Sequence, residues 1–276
     1  MRFHTTLTLL LMLMTAGCVQ HHYSPNFIHT PYIEQKGDGM VTAAASGFTT
    51  GINGDFHASY SPSQNISVML NYFRVKSSYE EVNFFGSPNY RETLRGQLLE
   101  GAIGAYKSVS FGTGALYAGW GLGQMQNDYG LERLADLRLR RFFIQPTFTF
   151  KNNWLRLGMA MRLVRLHYPK ADVDFRIDQS DIEILQRLEQ NSPFWLPEIG
   201  GTLGVHFKPV VVSVHSVLVL SPDAYRYNFD RTNLGVGLSL ELNDLRKKRA
   251  SSPPEEEKPQ SKKTKKKKSK KRKSKK

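Results

Sequence analysis

Hydrophobic and polar positions alternate along much of this chain with a period of two. Between Trp154 and Leu166, Leu155, Leu157, Met159, Met161 and Leu163 are apolar, and Arg156, Gly158, Ala160 and Arg162 between them are small or charged. Successive side chains of a strand point to opposite faces, so this stretch has one greasy face and one carrying arginines and small residues. A helix would scatter those arginines around its circumference. The pattern recurs. Ile52, Gly54, Phe56, Ala58 and Tyr60 oppose Asn53, Asp55, His57 and Ser59, and Phe142, Ile144, Phe148 and Phe150 oppose Arg141, Gln145, Thr147 and Thr149. Leu234, Val236, Leu238, Leu240 and Leu242 oppose Asn233, Gly235, Gly237, Ser239 and Glu241. Ten strands are expected, at about 39–49, 52–60, 65–76, 94–107, 112–125, 138–150, 154–167, 198–208, 210–220 and 232–242. The ninth is apolar on both faces.

After residue 17 no run of 18 apolar residues occurs, which excludes helical spans. Alternating strands behind an export signal predict an all-β fold, an antiparallel transmembrane β-barrel with lipid outside and a polar lumen. Ten strands fit best; eight are the alternative if the first hairpin is dropped. Connection lengths supply a second test. Ser61–Gln64, Ser108–Phe111, Lys151–Asn153 and Lys208–Pro209 are short, whereas 77–93, 126–137, 168–197 and 221–231 are long; of the connections at the end with the long ones only the first, near Thr50-Gly51, is brief. Outer-membrane barrels keep short turns in the periplasm, so both ends of the barrel are expected there. The connection 168–197 carries a helix pattern. Ser180 with Glu183 fits a capping box, and Ile182, Leu185 and Leu188 share a face that can lie across the barrel mouth.

Charge divides the chain. The net charge is +14, but 17 of the 38 Lys and Arg and only 3 of the 24 Asp and Glu lie in 246–276, which leaves 21 of each sign in 1–245. The body is neutral and the Lys-rich tail is expected to be disordered, meeting anionic lipid or a wall polymer. An exported chain has no nucleic-acid partner in its compartment. Export is read from Met1 to Gly17, a signal peptide with one charge and a short apolar core. Thr15-Ala16-Gly17-Cys18 then resembles a lipobox, so Cys18, the only cysteine, is the expected lipidation site and no intramolecular disulfide can form. No acidic cluster follows Cys18, which favours a periplasm-facing anchor. The expected organisation is a signal peptide (1–17), a lipid-anchored linker (18–38) acting as an extended tether, a barrel (39–245) and the tail (246–276). His21 and His22 in that linker are expected to be solvated, and no metal or other cofactor is expected.

Tyr23-Ser24-Pro25-Asn26, Glu34-Gln35-Lys36-Gly37-Asp38-Gly39 leading into Ala43-Ala44-Ala45, and Arg141-Phe142-Phe143-Ile144-Gln145-Pro146 carry a resemblance. Over most of 18–245 the chain resembles the small lipoprotein-headed outer-membrane barrels of Bacteroidetes. The resemblance implies location and fold, and no activity. One departure is that the last strand ends near Leu242 and continues into the tail, where barrels commonly end on an aromatic residue.

No nucleophile elbow, zinc-protease, P-loop or paired-cysteine motif is present. Ser213, His215, His206 and Glu241 all face the lumen by parity and have the composition of a triad, yet they lie near the periplasmic end; a polar filling role is expected, and no catalytic residue is assigned. The glycines Gly119, Gly121 and Gly123 are expected to make room for large side chains from across the lumen. Asp55, Glu100, Arg141, Arg156, Arg162 and Glu241 project inward and are expected to pair, closing a narrow lumen. Arg74, Lys76, Arg95, Arg138, Arg140 and Arg165 fall at the outer ends of lipid-facing rows, a basic ring suited to lipopolysaccharide phosphates, with Tyr72 and Phe142 as an aromatic girdle inside it and Tyr60, Phe150 and Phe207 at the other rim. The functional expectation is a structural or surface-interaction barrel. A narrow channel, a lipid-anchored soluble lipocalin-like barrel and, last, a lipid-modifying enzyme are the alternatives.

Overall fold

The computed structural model describes residues 21–47, 51–82, 88–131, 133–174 and 176–245; Cys18, the signal segment and the tail lie outside them. The chain forms ten strands: β1 (Gly39–Ser46), β2 (Gly51–Tyr60), β3 (Ile66–Val82), β4 (Pro88–Val109), β5 (Gly112–Asp128), β6 (Leu134–Lys151), β7 (Leu155–Val173), β8 (Phe194–Phe207), β9 (Val210–Val219) and β10 (Thr232–Glu241). Each pairs antiparallel with its sequence neighbour, and β1 pairs with β10 to close the barrel. Helix α1 (Gln179–Asn191) lies between β7 and β8, and the single turn α2 (Asp223–Arg226) between β9 and β10.

The stagger of the strands sets the width of the lumen. Hydrogen-bonded neighbours followed once around the wall lead from Leu155 through Val205, Val212, Leu238, Ala43, Phe56, Tyr72, Leu99, Leu122 and Arg140 back to β7 at His167, a shift of 12 residues. At about 3.3 Å per residue and about 4.8 Å between strands, this tilts the strands by about 40° and gives a Cα radius of about 10 Å. Inward side chains of ordinary length leave the axis of such a barrel open. Here the inward positions include many small residues, so the opening is wide enough for one extended chain.

The faces fall as the alternation dictates. Met159, Met161 and Leu163 are exposed while Arg156 and Arg162 are buried, and the same inversion holds on β6 and β10. The leucine row therefore lies outside, whereas the lipocalin-like alternative places it inside. Five strands run further than their alternation does: β3–β7 span 17 to 22 residues each, so most of 77–93 is a continued β3–β4 hairpin rather than a loop. Alternation stops where an apolar surround stops, but backbone pairing does not, as Tyr79 opposite Glu92 illustrates. Inside this taller wall lies the main apolar core, including Phe73, Leu98, Leu137, Phe143, Leu166 and Tyr168, onto which Leu185 and Leu188 of α1 pack.

Three local expectations need correction. Asp178, not Ser180, precedes α1, and no side chain caps it; the carbonyl of Asp178 already accepts the N–H groups of Asp181 and Ile182, which leaves Ser180 inside the first turn. Joining the expected ends of the last two strands would pair Leu220 with Thr232; the observed register pairs Leu218 with Thr232, two residues away, and an even shift leaves every side chain on its face. The glycines of β5 make room for neighbours in the wall rather than residues across it: a Cβ at Gly119 would lie 2.3 Å from the Phe143 ring, and one at Gly123 2.8 Å from Leu139.

The largest correction concerns the expected tether. Residues 22–33 are buried along the barrel axis; Tyr23, Phe27, Ile28 and Ile33 are at most 2% exposed. They run from the long-connection end, where Tyr23 bridges to Phe229, to the short-turn end, where β1 begins. The N-terminal approach and the strand termini therefore lie at opposite ends, not at one. The segment lacks alternation because it is surrounded on all sides. Three wall glycines face it: added Cβ atoms at Gly158, Gly200 and Gly235 would lie 2.2 Å from Thr30, 3.0 Å from Ile28 and 2.7 Å from Phe27. A Gly158→Val variant should therefore lower the thermal midpoint and make residues 22–33 protease-sensitive in detergent. Gly101→Val, where a Cβ meets nothing within 4 Å, should leave both unchanged.

Candidate functional site

The inner segment meets the wall in layers, each built by strand parity from below and by the threaded chain from within. At the long-connection end the His22 imidazole lies 2.9 Å from the carbonyl oxygen of Tyr227, and the Tyr168 hydroxyl donates to the carbonyl of His22 at 2.9 Å. A carbonyl oxygen can only accept, so Nδ1 carries a proton and donates to Tyr227. The Asp230 N–H donates to the carbonyl of Tyr23 at 2.8 Å, and burial pushes the Asp230 carboxyl above its usual range. Tyr23, Tyr168, Phe194, Tyr227 and Phe229 pack around this point as an aromatic plug.

Below it lies a cluster of two carboxylates and two guanidiniums with no solvent exposure. Glu198 of β8 accepts from Arg141 of β6 at 3.0 Å and from Arg162 Nε of β7 at 2.7 Å, and the Tyr23 hydroxyl donates to its other oxygen at 2.6 Å. Glu100 of β4 lies 3.3 Å from Arg141 and 3.7 Å from Arg162. The side chain of Asn26 sits at the centre. Its Oδ1 accepts from Arg141 at 2.8 Å and from Arg162 at 2.9 Å, and its Nδ2 donates to Glu100 at 2.9 Å. The charges sum to zero, which is what allows four ions to be buried together.

Glu100, Arg141 and Arg162 thus meet in one place. Glu198 completes the set: the parity that turns His206 inward turns Glu198 inward too, so it was legible at the start of the eighth strand. Asn26 and Tyr23 were not, because they lie in a stretch without alternation. Asp55 joins a different layer, accepting from the Phe27 N–H at 3.3 Å, with His57 Nε2 3.6 Å away. His57 stacks on His29 of the inner segment at 4.9 Å. Arg156 and Glu241 pair at 2.5 Å at the short-turn end, where Arg156 lies over the Tyr32 ring.

The residues with triad composition divide between two groups. Ser213 Oγ lies 2.8 Å from His215 Nε2, but His215 Nδ1 faces Thr202 at 3.1 Å, and Thr202 accepts from Thr30 at 3.2 Å; among the described residues no carboxylate orients this histidine. His206, Glu241 and Asp244 hold donor atoms within 4.8 Å of one another, the spacing of a metal site. Arg156 closes it. Its Nη2 can only donate, so His206 Nδ1, 2.7 Å away, accepts, and the ring proton is on Nε2, which lies 3.0 Å from Asp244. A protonated nitrogen does not ligate a metal.

On the outer surface Arg74, Lys76, Arg95, Arg138, Arg140 and Arg165 all point away from the lumen and are exposed. They form an arc rather than the expected ring. All six lie on β3, β4, β6 and β7, four of the five long strands that project past the apolar surface; β5 places Gln124 in the same row. One hydrogen-bonded row, Arg74–Gln97–Gln124–Arg138–Lys170, is polar throughout, and the row two residues below it starts Tyr72–Leu99–Leu122–Arg140. Among the described residues none of the six has a carboxylate partner, whereas Lys170 pairs with Asp172 at 2.7 Å.

Breaking the buried cluster on one side should be costly. A Glu198→Gln variant leaves two arginines facing one carboxylate and should destabilise the protein by about 3 kcal/mol, read as a lowered unfolding midpoint in detergent. Adding Arg162→Met to it should recover part of that loss; additive losses would show that the charges are not coupled. No protein-family model matches this chain, and no curated protein sequence matches it significantly.

Proposed function

We propose that this protein is an outer-membrane β-barrel lipoprotein, acylated at Cys18, with a structural or surface-interaction role and a basic arc that contacts lipopolysaccharide phosphates. The location and fold, though no activity, are what the resemblance to the lipoprotein-headed barrels of Bacteroidetes implies. The observation that carries the membrane reading is the exposed belt. Outward positions from Leu70, Ile103 and Leu116 through Ile144, Met159, Met161, Leu203, Val214 and Leu238 are apolar and at least 44% exposed, an arrangement that water penalises and hydrocarbon favours. Exposed aromatic residues bound it on both sides: Tyr60, Phe111, Trp154 and Phe207 at the short-turn rim, and Tyr72, Trp120, Phe142 and Trp195 towards the long connections. Trp154 and Arg165 bracket the belt on β7, and eleven residues at a tilt of about 40° rise about 28 Å, the height of an outer-membrane hydrocarbon layer.

A polar lumen surrounded by lipid favours either conduction or a scaffold. Residues 22–33 occupy the axis, and the scaffold reading follows from that packing. The arc supports surface contact with lipopolysaccharide: six cations with no carboxylate partner among the described residues stand just beyond the apolar surface, where the phosphates of an anionic glycolipid lie. Arginine grips such groups with charge-assisted hydrogen bonds.

Two measurements test this reading. The Cys18→Ser variant should stay in the membrane fraction through high-salt and carbonate washes and migrate faster unheated than heated on a denaturing gel; release into the wash would refute a spanning barrel. Replacing Arg138, Arg140 and Arg165 with glutamine should lower the lipopolysaccharide that co-purifies with the protein severalfold, and unchanged co-purification would refute the contact.

A further inference from the structure

Residues 22–33 cross the barrel once, and their direction is fixed at both ends. At one end the His22 N–H donates to Asn228 O at 3.0 Å, and its imidazole and carbonyl are held by Tyr227 and Tyr168, all at the long-connection end. At the other, Ser108 Oγ donates to the carbonyl of Glu34 at 3.0 Å, Lys151 Nζ lies 2.9 Å from the Glu34 carboxylate, and the Gly37 N–H donates to Ser61 O at 2.8 Å. Ser108, Lys151 and Ser61 all belong to the short turns. The C-terminal end of the barrel is at this second end too: the Asn243 side chain donates to Asp38, and Asp244 lies 3.0 Å from His206. An extended chain from His22 to Ile33 spans about 36 Å, enough to cross a hydrocarbon layer.

We infer that the two terminal segments work on opposite sides of the membrane, the acylated N-terminus on the side of the long connections and the Lys-rich segment 246–276 on the side of the short turns. The membrane itself rests on the outer-membrane reading above; the pairing of the N-terminus with the long connections does not. Only Val19 and Gln20 lie between Cys18 and His21, and the three extended steps reach at most about 11 Å, too short to return across the layer. The acyl chains therefore enter the leaflet nearest the long connections, beside the basic arc. With long connections outward this is a surface-facing anchor, opposite to the expectation drawn from the sequence after Cys18. The 17 basic residues of the tail then meet anionic polymer or lipid headgroups on the periplasmic side. Assembly follows the same geometry. An acylated cysteine cannot be drawn through a lumen packed as this one is, so the β1–β10 seam closes around a segment already in place.

The test uses the full chain in its own membrane, with one epitope inserted after Val19, after Leu131 in the β5–β6 connection, or after Lys276. In intact cells antibody and added protease should reach the Val19 and Leu131 epitopes together, and the Lys276 epitope only after permeabilisation. A shielded Val19 epitope beside a reachable Leu131 epitope overturns the inference. If Leu131 is shielded and Lys276 reached, the outward orientation fails, while Val19 shielded with Leu131 still supports the pairing. A membrane-independent measurement closes the remaining case. In detergent-purified Cys18→Ser protein carrying dye pairs, energy transfer should be high for Gln20→Cys with Tyr225→Cys and low for Gln20→Cys with Leu245→Cys. The reverse order overturns the inference whether or not the protein spans a membrane.

Discussion

Four buried ions and one amide hold this molecule to its inner segment. Glu100, Glu198, Arg141 and Arg162 come from β4, β8, β6 and β7, and Asn26 bonds to three of the four. Removing any single one of the four from a lumen sealed from water leaves an uncompensated charge. The barrel and the threaded segment are therefore conditional on each other. Without Asn26 the guanidiniums lose a shared acceptor, and without the wall the segment has no structure of its own to fall back on.

The same dependence governs packing. A ten-stranded wall of this stagger has an axis wider than its small inward residues can fill, and a void of that size forfeits contacts on every lining atom. Phe27 and Ile28 fill part of it against Ala44, Ala160 and Val217. Gly158, Gly200 and Gly235 stand where the Thr30, Ile28 and Phe27 side chains of the segment press against the wall. Valines on both faces of β9 are explained in the same way: Val212 and Val214 are exposed outward, while Val217 packs on the inner segment.

Outside, the molecule divides into a lower belt and a taller upper wall. β8, β9, β10, β1 and β2 stop near the edge of the belt, whereas β3–β7 continue, carry the basic arc and enclose the aromatic core that α1 covers. The asymmetry gives the barrel a front and a back at its long-connection end. A partner that reads charge meets it on one half only.

The alternation of residues such as Leu155 to Leu163 was enough to determine strands, faces and closure, because a strand buries by parity and parity is written in adjacent residues. Glu100, Arg141, Arg162 and the Arg156–Glu241 pair were readable as inward-facing for the same reason. Parity has no value for a chain surrounded on all sides, so residues 22–33, with polar, aromatic and proline positions in no period, read as a tether. Only the tertiary structure decided that they fill the lumen, that Asn26 completes the ion cluster, and that the chain enters and leaves the barrel at opposite ends. Those outcomes depend on contacts between residues up to about 200 positions apart, such as His22 with Tyr227, for which no local pattern exists.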